Sequence, residues 1–201
     1  MTNVEYHPDA FHEDGSFRTD CEIRLDLIRE NIDGKVPSIL DVGCSGGYYS
    51  FKLRDKAVKI EAIDMVEDLI VRCQQTAKRE GVGNITFQTS TLADYLLISP
   101  PHHAICLYMS VHHHVIQAHG WEMANYLLKM LSVKSPTLYF DMGQFNENCP
   151  STGWWKYMPF TNDCEAWVKG YLEKETLYTD IKCIGKSTVH GVDRFFFKCT
   201  R

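Results

Sequence analysis

Ile39-Leu40-Asp41-Val42-Gly43-Cys44-Ser45-Gly46-Gly47-Tyr48-Tyr49-Ser50 is the stretch whose reading decides the fold. Its apolar opening around an acid reads as a buried strand. The glycines allow a sharp turn and a close approach of backbone to a ligand, and Tyr49, Phe51 and Leu53 begin an amphipathic helix. Strand, glycine-rich turn and helix start form the nucleotide-cradling unit of open α/β sheets. The spacing D-x-G-x-x-G-G is neither the dinucleotide G-x-G-x-x-G nor the phosphate-loop G-x-x-x-x-G-K-[ST], and no lysine follows to neutralise a triphosphate. Similar turns occur in α/β proteins that bind nothing there, so the next segment matters. Val58 to Asp64 reads as a second strand ending in an acid, 23 positions beyond Asp41, with a helical stretch from Glu67 to about Arg79. An acid at that place accepts hydrogen bonds from the two ribose hydroxyls in a doubly wound fold. Together the two segments predict adenosine binding.

Working outward, 201 residues at 44% hydrophobic content suffice for one substantial core, and a single domain over 1–201 is expected. A net charge of −5 argues against a broad nucleic-acid surface but leaves room for a local basic pocket. No apolar run approaches the roughly 20 residues that span a bilayer, and the polar N-terminus lacks a signal-peptide core. Eight scattered cysteines show no C-x-x-C pair and no zinc spacing. They read as reduced thiols of a cytoplasmic protein.

Strands are predicted near 38–42, 58–63, 85–89, 104–109, 136–141, 178–186 and 193–199, and helices near 20–32, 47–55, 66–80, 119–132 and 162–174. Alternation of this kind implies a doubly wound α/β fold with a mostly parallel sheet. The last two strands, joined through His190-Gly191, should form an antiparallel hairpin. An N-terminal cap and helix is expected over 1–35, and a substrate-side loop over 141–160.

Ala104 to Met109 reads as a buried strand that empties into His112-His113-His114, with His119 at the entrance of the next helix. Ligands of open α/β sheets bind outside the carboxyl ends of the strands, so this cluster is expected to face the same crevice as Gly43 and Asp64. Acid/base work or phosphate binding suits a side chain that titrates near neutral pH. A metal site and simple satisfaction of loop backbone are the other readings. A fourth ligand at sensible spacing is missing, and no metal is expected. In the 141–160 loop, Trp154, Trp155, Lys156 and Tyr157 read either as a surface that stacks a sugar or base and holds a phosphate, or as an aromatic plug on the sheet.

Arg24-Leu25-Asp26-Leu27-Ile28, the 39–50 stretch, Ser110-Val111-His112-His113-His114-Val115 and His119-Gly120 together resemble the methyltransferase module of bacterial O-antigen chain-terminating methyltransferase/kinases, within the class I S-adenosylmethionine-dependent methyltransferases. The resemblance covers most of 20–132, with Val189 to Lys198 as a weaker echo; the 201 residues contain no kinase region, and a stand-alone methyltransferase or an excised domain is expected. It implies a Rossmann-like methyltransferase fold of seven strands with a C-terminal antiparallel hairpin. It also implies S-adenosyl-L-methionine as cofactor, with S-adenosyl-L-homocysteine as product, and methylation of a phosphate or sugar in lipopolysaccharide biosynthesis. By position, Arg24 would sit over the cofactor carboxylate, Gly43 along the methionine moiety, Asp64 at the ribose and Ser90-Thr91-Leu92 at the adenine. Tyr6 would close the pocket, and Asp41, Cys44, Ser45, Tyr49, Met65 and Met109 complete the cofactor set. The acceptor side comprises Arg18, His112, His119, Trp154 and Lys156. An ionised phosphate needs no general base; for a hydroxyl acceptor, neutral His113 or His114 is the candidate. The acceptor is expected to be a small molecule or saccharide, and a homo-oligomer or partner enzyme stays open. The rivals are an N-methyltransferase on a small amine and a non-catalytic adenosine-binding subunit.

Overall fold

A computed structural model of the chain describes residues 19–98, 102–145, 147, 153–189 and 191–201. It divides into two compact units, with the boundary between Ala104 and Ile105.

In the N-terminal unit, α1 (Thr19–Glu30) precedes β1 (Val36–Val42), α2 (Tyr48–Lys52), β2 (Ala57–Asp64), α3 (Glu67–Arg79), β3 (Ile85–Thr89) and α4 (Leu92–Leu97). β1 pairs parallel with β2, placing Asp41 beside Ala62, and β2 pairs parallel with β3, placing Asp64 beside Thr89. The strands carry near-continuous apolar runs because both faces are covered: Ile39, Leu40, Val42, Ile60, Ala62 and Ile63 are all buried. On α3 the buried positions Ile70, Cys73, Thr76 and Ala77 recur at helical spacing, so one stripe faces the sheet.

The C-terminal unit comprises β4 (Ile105–Met109), α5 (His112–Lys134), β5 (Thr137–Asp141), a 3-10 turn (Trp154–Tyr157), α6 (Cys164–Glu175), β6 (Asp180–Val189) and β7 (Val192–Thr200). β4 and β5 are parallel, β7 runs antiparallel to β5, and β6 and β7 form the expected hairpin with Val189 opposite Val192. The seven strands thus comprise parallel pairs and one antiparallel C-terminal hairpin, as the sequence predicted. Among the described residues no helix is long and apolar enough to cross a membrane. The seven described cysteines are free thiols.

Two elements differ from expectation. α4 was not anticipated; it is capped by Thr91, whose Oγ1 accepts from the Asp94 N–H at 3.1 Å. α5 starts seven residues earlier than predicted. It runs from His112, and Gly120 (φ 79°, ψ 168°) breaks it into a short histidine-bearing helix and a longer second one. The histidines therefore stand on a helix's first turn, whose angular spacing sends successive rings in different directions.

Candidate active site

At the end of β1 the chain turns through Gly43 (φ 69°), Ser45 (φ 49°) and Gly47 (φ 79°). A Cβ on Gly47 would come within 2.9 Å of Phe51 Cε2 and 3.1 Å of Cys73 Sγ, so position 47 needs glycine for space as well as for its backbone angle. The amides of this turn are largely occupied. Gly43 and Cys44 N–H donate to the Ile63 carbonyl at 2.8 and 3.0 Å, and Gly47 N–H to the Cys44 carbonyl at 2.8 Å. Ser45 N–H donates to Asp64 Oδ2 at 2.9 Å. A turn so occupied is a poor cradle for a pyrophosphate, which needs several outward N–H groups.

Asp64 closes β2. Its Oδ1 accepts from Val66 N–H at 2.9 Å, so each oxygen holds one backbone donor. A carboxylate offers about four lone-pair directions, which leaves capacity for a pair of hydroxyls. Met65 beside it is 72% exposed and Val66 is exposed too, an apolar ledge next to the acid. A carboxylate with spare acceptor capacity beside an exposed apolar ledge offers hydrogen bonds to a diol and a flat surface to a ring.

The remaining cofactor candidates of this unit take supporting positions. Asp41 is 2% exposed and its Oδ2 accepts from Ser50 Oγ at 2.6 Å, tying β1 to α2. Burial, set against the Ser50 hydrogen bond, pushes its carboxyl up to about 6. Cys44 is buried and Tyr49 half-buried in the turn and first helical residues. Arg24 is buried on α1 and ion-paired with Asp20, one helical turn back. Ser90 N–H donates to the Asp64 carbonyl at 2.9 Å, Thr91 caps α4 and Leu92 is buried beneath it. Tyr6 and Arg18 lie outside the described residues.

In the C-terminal unit, Met109 ends β4 and is buried. Ser110 follows with φ 58°, a left-handed conformation that disfavours a residue with a Cβ. Side chains hold it there. Its N–H donates to Asp141 Oδ1 at 2.7 Å and its Oγ to Asp141 Oδ2 at 3.0 Å, while Arg194 Nη1 donates to that Oγ at 2.9 Å. Arg194 also grips Glu147 through Nε and Nη2 at 2.7 and 2.6 Å, a bidentate pair. Glu147 Oε1 in turn accepts from Gln144 N–H at 2.7 Å. Arg194, Glu147 and Asp141 are all buried. Sequence reasoning missed all three.

Three expectations need correction. His112 is fully buried: its Nδ1 lies 3.3 Å from Tyr108 Oη, its Nε2 lies 2.5 Å from Tyr171 Oη, and Tyr171 donates to Asn125 Oδ1 at 2.6 Å. Burial pulls the imidazole down to about 3, so it is a neutral link in a core hydrogen-bond run and not an acceptor contact. His113 is 1% exposed and its Nδ1 accepts from Gly143 N–H at 3.0 Å. Burial and the Arg194 charge hold it well below the usual imidazole range, so its one proton sits on Nε2. A ring so arranged donates and has no lone pair left to act as a base. Trp154 is 2% exposed, with its ring 4.3 Å from that of His113 and Arg194 Cζ 5.7 Å above it. A Cβ on Gly143 would fall 2.3 Å from Trp154 Cη2, so this indole is the aromatic plug and not a sugar platform.

His114 differs from its neighbours. Its side chain is exposed, its ring lies 4.2 Å from that of His113, and desolvation with the Arg194 charge lowers its pKa. It is neutral at pH 7. His119 is exposed just before the Gly120 break, and exposed Lys156 lies 5.6 Å over the Trp155 ring.

The methyltransferase domain family matches residues 34–190. The O-antigen chain terminator bifunctional methyltransferase/kinase WbdD of Escherichia coli is 28% identical over 149 residues, covering 65% of this chain and 21% of that protein. The chain therefore spans about a fifth of the length of this relative. A crystal structure of WbdD superposes with a TM-score of 0.78 at 23% identity, over 98% of this chain and 43% of that one. The N-terminal domain of EvdMO1, crystallised in the presence of SAH and D-fucose, gives a TM-score of 0.68 at 15% identity, over 98% of this chain and 91% of that one. These likenesses show the fold: a doubly wound methyltransferase architecture.

Proposed function

The chain belongs to the methyltransferase domain family, and from that premise we propose that it moves the methyl group of S-adenosylmethionine to an oxygen, a phosphate or hydroxyl, on a saccharide acceptor. The observation that carries the donor side is the pair formed by a glycine turn with occupied amides and a strand-end Asp64 with spare acceptor capacity. That pair suits a ribose and an amino-acid tail better than a pyrophosphate. The acceptor side rests on kinship with an O-antigen chain terminator and fold likeness to a domain crystallised with D-fucose.

S-adenosylmethionine supplies a methyl group already activated on a sulfonium; transfer makes an O–CH3 bond, breaks the C–S bond and releases S-adenosylhomocysteine. The protein's task is alignment and proton handling. His114 is the neutral imidazole with an exposed side chain, and it takes the proton of a hydroxyl acceptor. A phosphate oxygen needs no such step, and exposed His119 and Lys156 then supply donors to the anion.

Two measurements test this. Asp64→Ala should weaken S-adenosylmethionine binding by about 2 kcal/mol, roughly 30-fold, by calorimetry. Labelled methyl should appear on matched saccharides with or without a terminal phosphate, with little on amine acceptors. Label on amines alone, or parent affinity in Asp64→Ala, would overturn the reading.

A further inference from the structure

The helices α5 and α6 hold an open groove of about 340 Å3 that none of the chemistry above uses. Its surface is aromatic: Trp121 on α5, Trp167 and Tyr171 on α6, and Tyr157 from the 3-10 turn. Trp167 and Tyr171, one helical turn apart, stack at 5.3 Å with 6° between their planes. Trp121 meets both edge-on, at 6.1 and 5.6 Å. The Trp121 indole N–H donates to the Tyr157 carbonyl at 3.3 Å, so this residue offers ring surface only.

Polar groups line the rest. Asn125 takes the Tyr171 hydroxyl on its Oδ1, which fixes the amide and assigns its NH2 as a donor. Lys174 and Glu175 also line the groove and pair with each other at 2.8 Å, so their charges cancel. A rim with one cation and one anion in contact favours an uncharged ligand over a phosphate or a nucleotide. Aromatic faces beside an amide, an ammonium and a carboxylate match one chemistry well. Pyranose rings present C–H faces to the aromatics and hydroxyls to the polar groups. The volume stands at the small end of ligand pockets, about 300 Å3 and upward, with room for a disaccharide.

The groove is also joined to the histidine segment. Tyr171 on its floor bonds His112, the residue next to His113 and His114. We propose that the α5–α6 groove binds neutral sugar residues of the acceptor, by stacking on Trp121 and Trp167 and hydrogen bonding to Asn125, Lys174 and Glu175. This rests on the saccharide reading for its biological sense, but its binding step can be measured without turnover.

Saturation-transfer NMR of the full chain with maltose, cellobiose, lactose and α-mannobiose is the test. At least one disaccharide should receive saturation on its ring C–H protons, with millimolar affinity. Trp167→Leu and Trp121→Leu should each weaken that binding about tenfold or more. S-adenosylmethionine affinity in both variants should stay at the parent value, which certifies their fold. Absence of transfer to every disaccharide overturns the proposal, as does unchanged sugar affinity in the folded variants. If both leucine variants lose S-adenosylmethionine binding, Asn125→Ala, at a half-exposed position, decides instead, with unchanged sugar affinity counting against the groove. Concentration-dependent dimerisation lost in Trp121→Leu, without sugar binding, overturns it in favour of a self-association surface. Sugar binding here with methyl transfer only to amines would sink the acceptor reading and leave the groove standing.

Discussion

Two strand-to-helix junctions in this molecule solve the same problem by opposite means. After β1 the chain reverses through glycines, and the bonds that hold the turn are mostly backbone to backbone. After β4 it reverses through Ser110, a residue with a Cβ at φ 58°, held by Asp141, Arg194 and Glu147. The first junction takes its conformation from glycine backbone angles and from amide bonds to the end of the neighbouring strand β2. The second borrows it from side chains 31 and 84 positions away. A turn built from glycine should therefore fail when something is added to it, and a turn built from side chains when something distant is removed.

The largest expected effect is on the second junction. Arg194→Met leaves Glu147 and Asp141 buried without their cation, and denaturant unfolding at pH 7 should show a loss of about 3–5 kcal/mol. A loss below about 1 kcal/mol would mean that the Ser110 turn holds itself, and the contrast would collapse.

Asp41 provides the next test, because the first junction contains a buried carboxyl that accepts from the Ser50 hydroxyl, where the second buries its carboxylates against Arg194. Its carboxyl stands near 6 in the folded chain against an ordinary 3.8, so the folded state holds the proton more tightly than the unfolded one. Above about pH 6 the ionised group opposes folding by about 3 kcal/mol, and this opposition fades as the pH falls from about 6 to about 4. Asp41→Asn should accordingly be more stable than the parent at pH 7, with an advantage that shrinks toward pH 4 in paired denaturant titrations. An advantage independent of pH would place the titration elsewhere.

The smallest effect sharpens the comparison. Ser110→Gly removes the left-handed strain, worth about 1 kcal/mol, but also removes the hydroxyl between Arg194 and Asp141. The two changes oppose, and thermal melting should shift by only a few degrees. A large loss would show that the hydroxyl outweighs the strain.

The same contrast explains what the sequence disclosed. The β1 junction was legible because its determinants are contiguous: an apolar run, an acid, glycines at set spacing and a second acid at the end of β2. α4 was legible in principle, since Thr91 and Asp94 form the threonine-x-x-acid pattern of a helix start, but six residues are too few for an apolar period. His119-Gly120 read as the entrance to a helix because glycine punctuates; here it interrupts one already begun. Arg194, Glu147 and Asp141 share no local pattern, and only tertiary structure brings them to Ser110. His112 and Trp154 looked functional from their composition, and the packing of α5 and the 3-10 turn buried them.

The fit between Gly143 and Trp154 reaches beyond folding into descent. With a would-be Cβ 2.3 Å from the indole, neither site is free to drift by itself: a side chain at 143 is excluded while the tryptophan stays, and a smaller residue at 154 strips the wall from His113 and Arg194. The two positions form one heritable unit, and a lineage that abandons one must cross an unstable intermediate to replace the other.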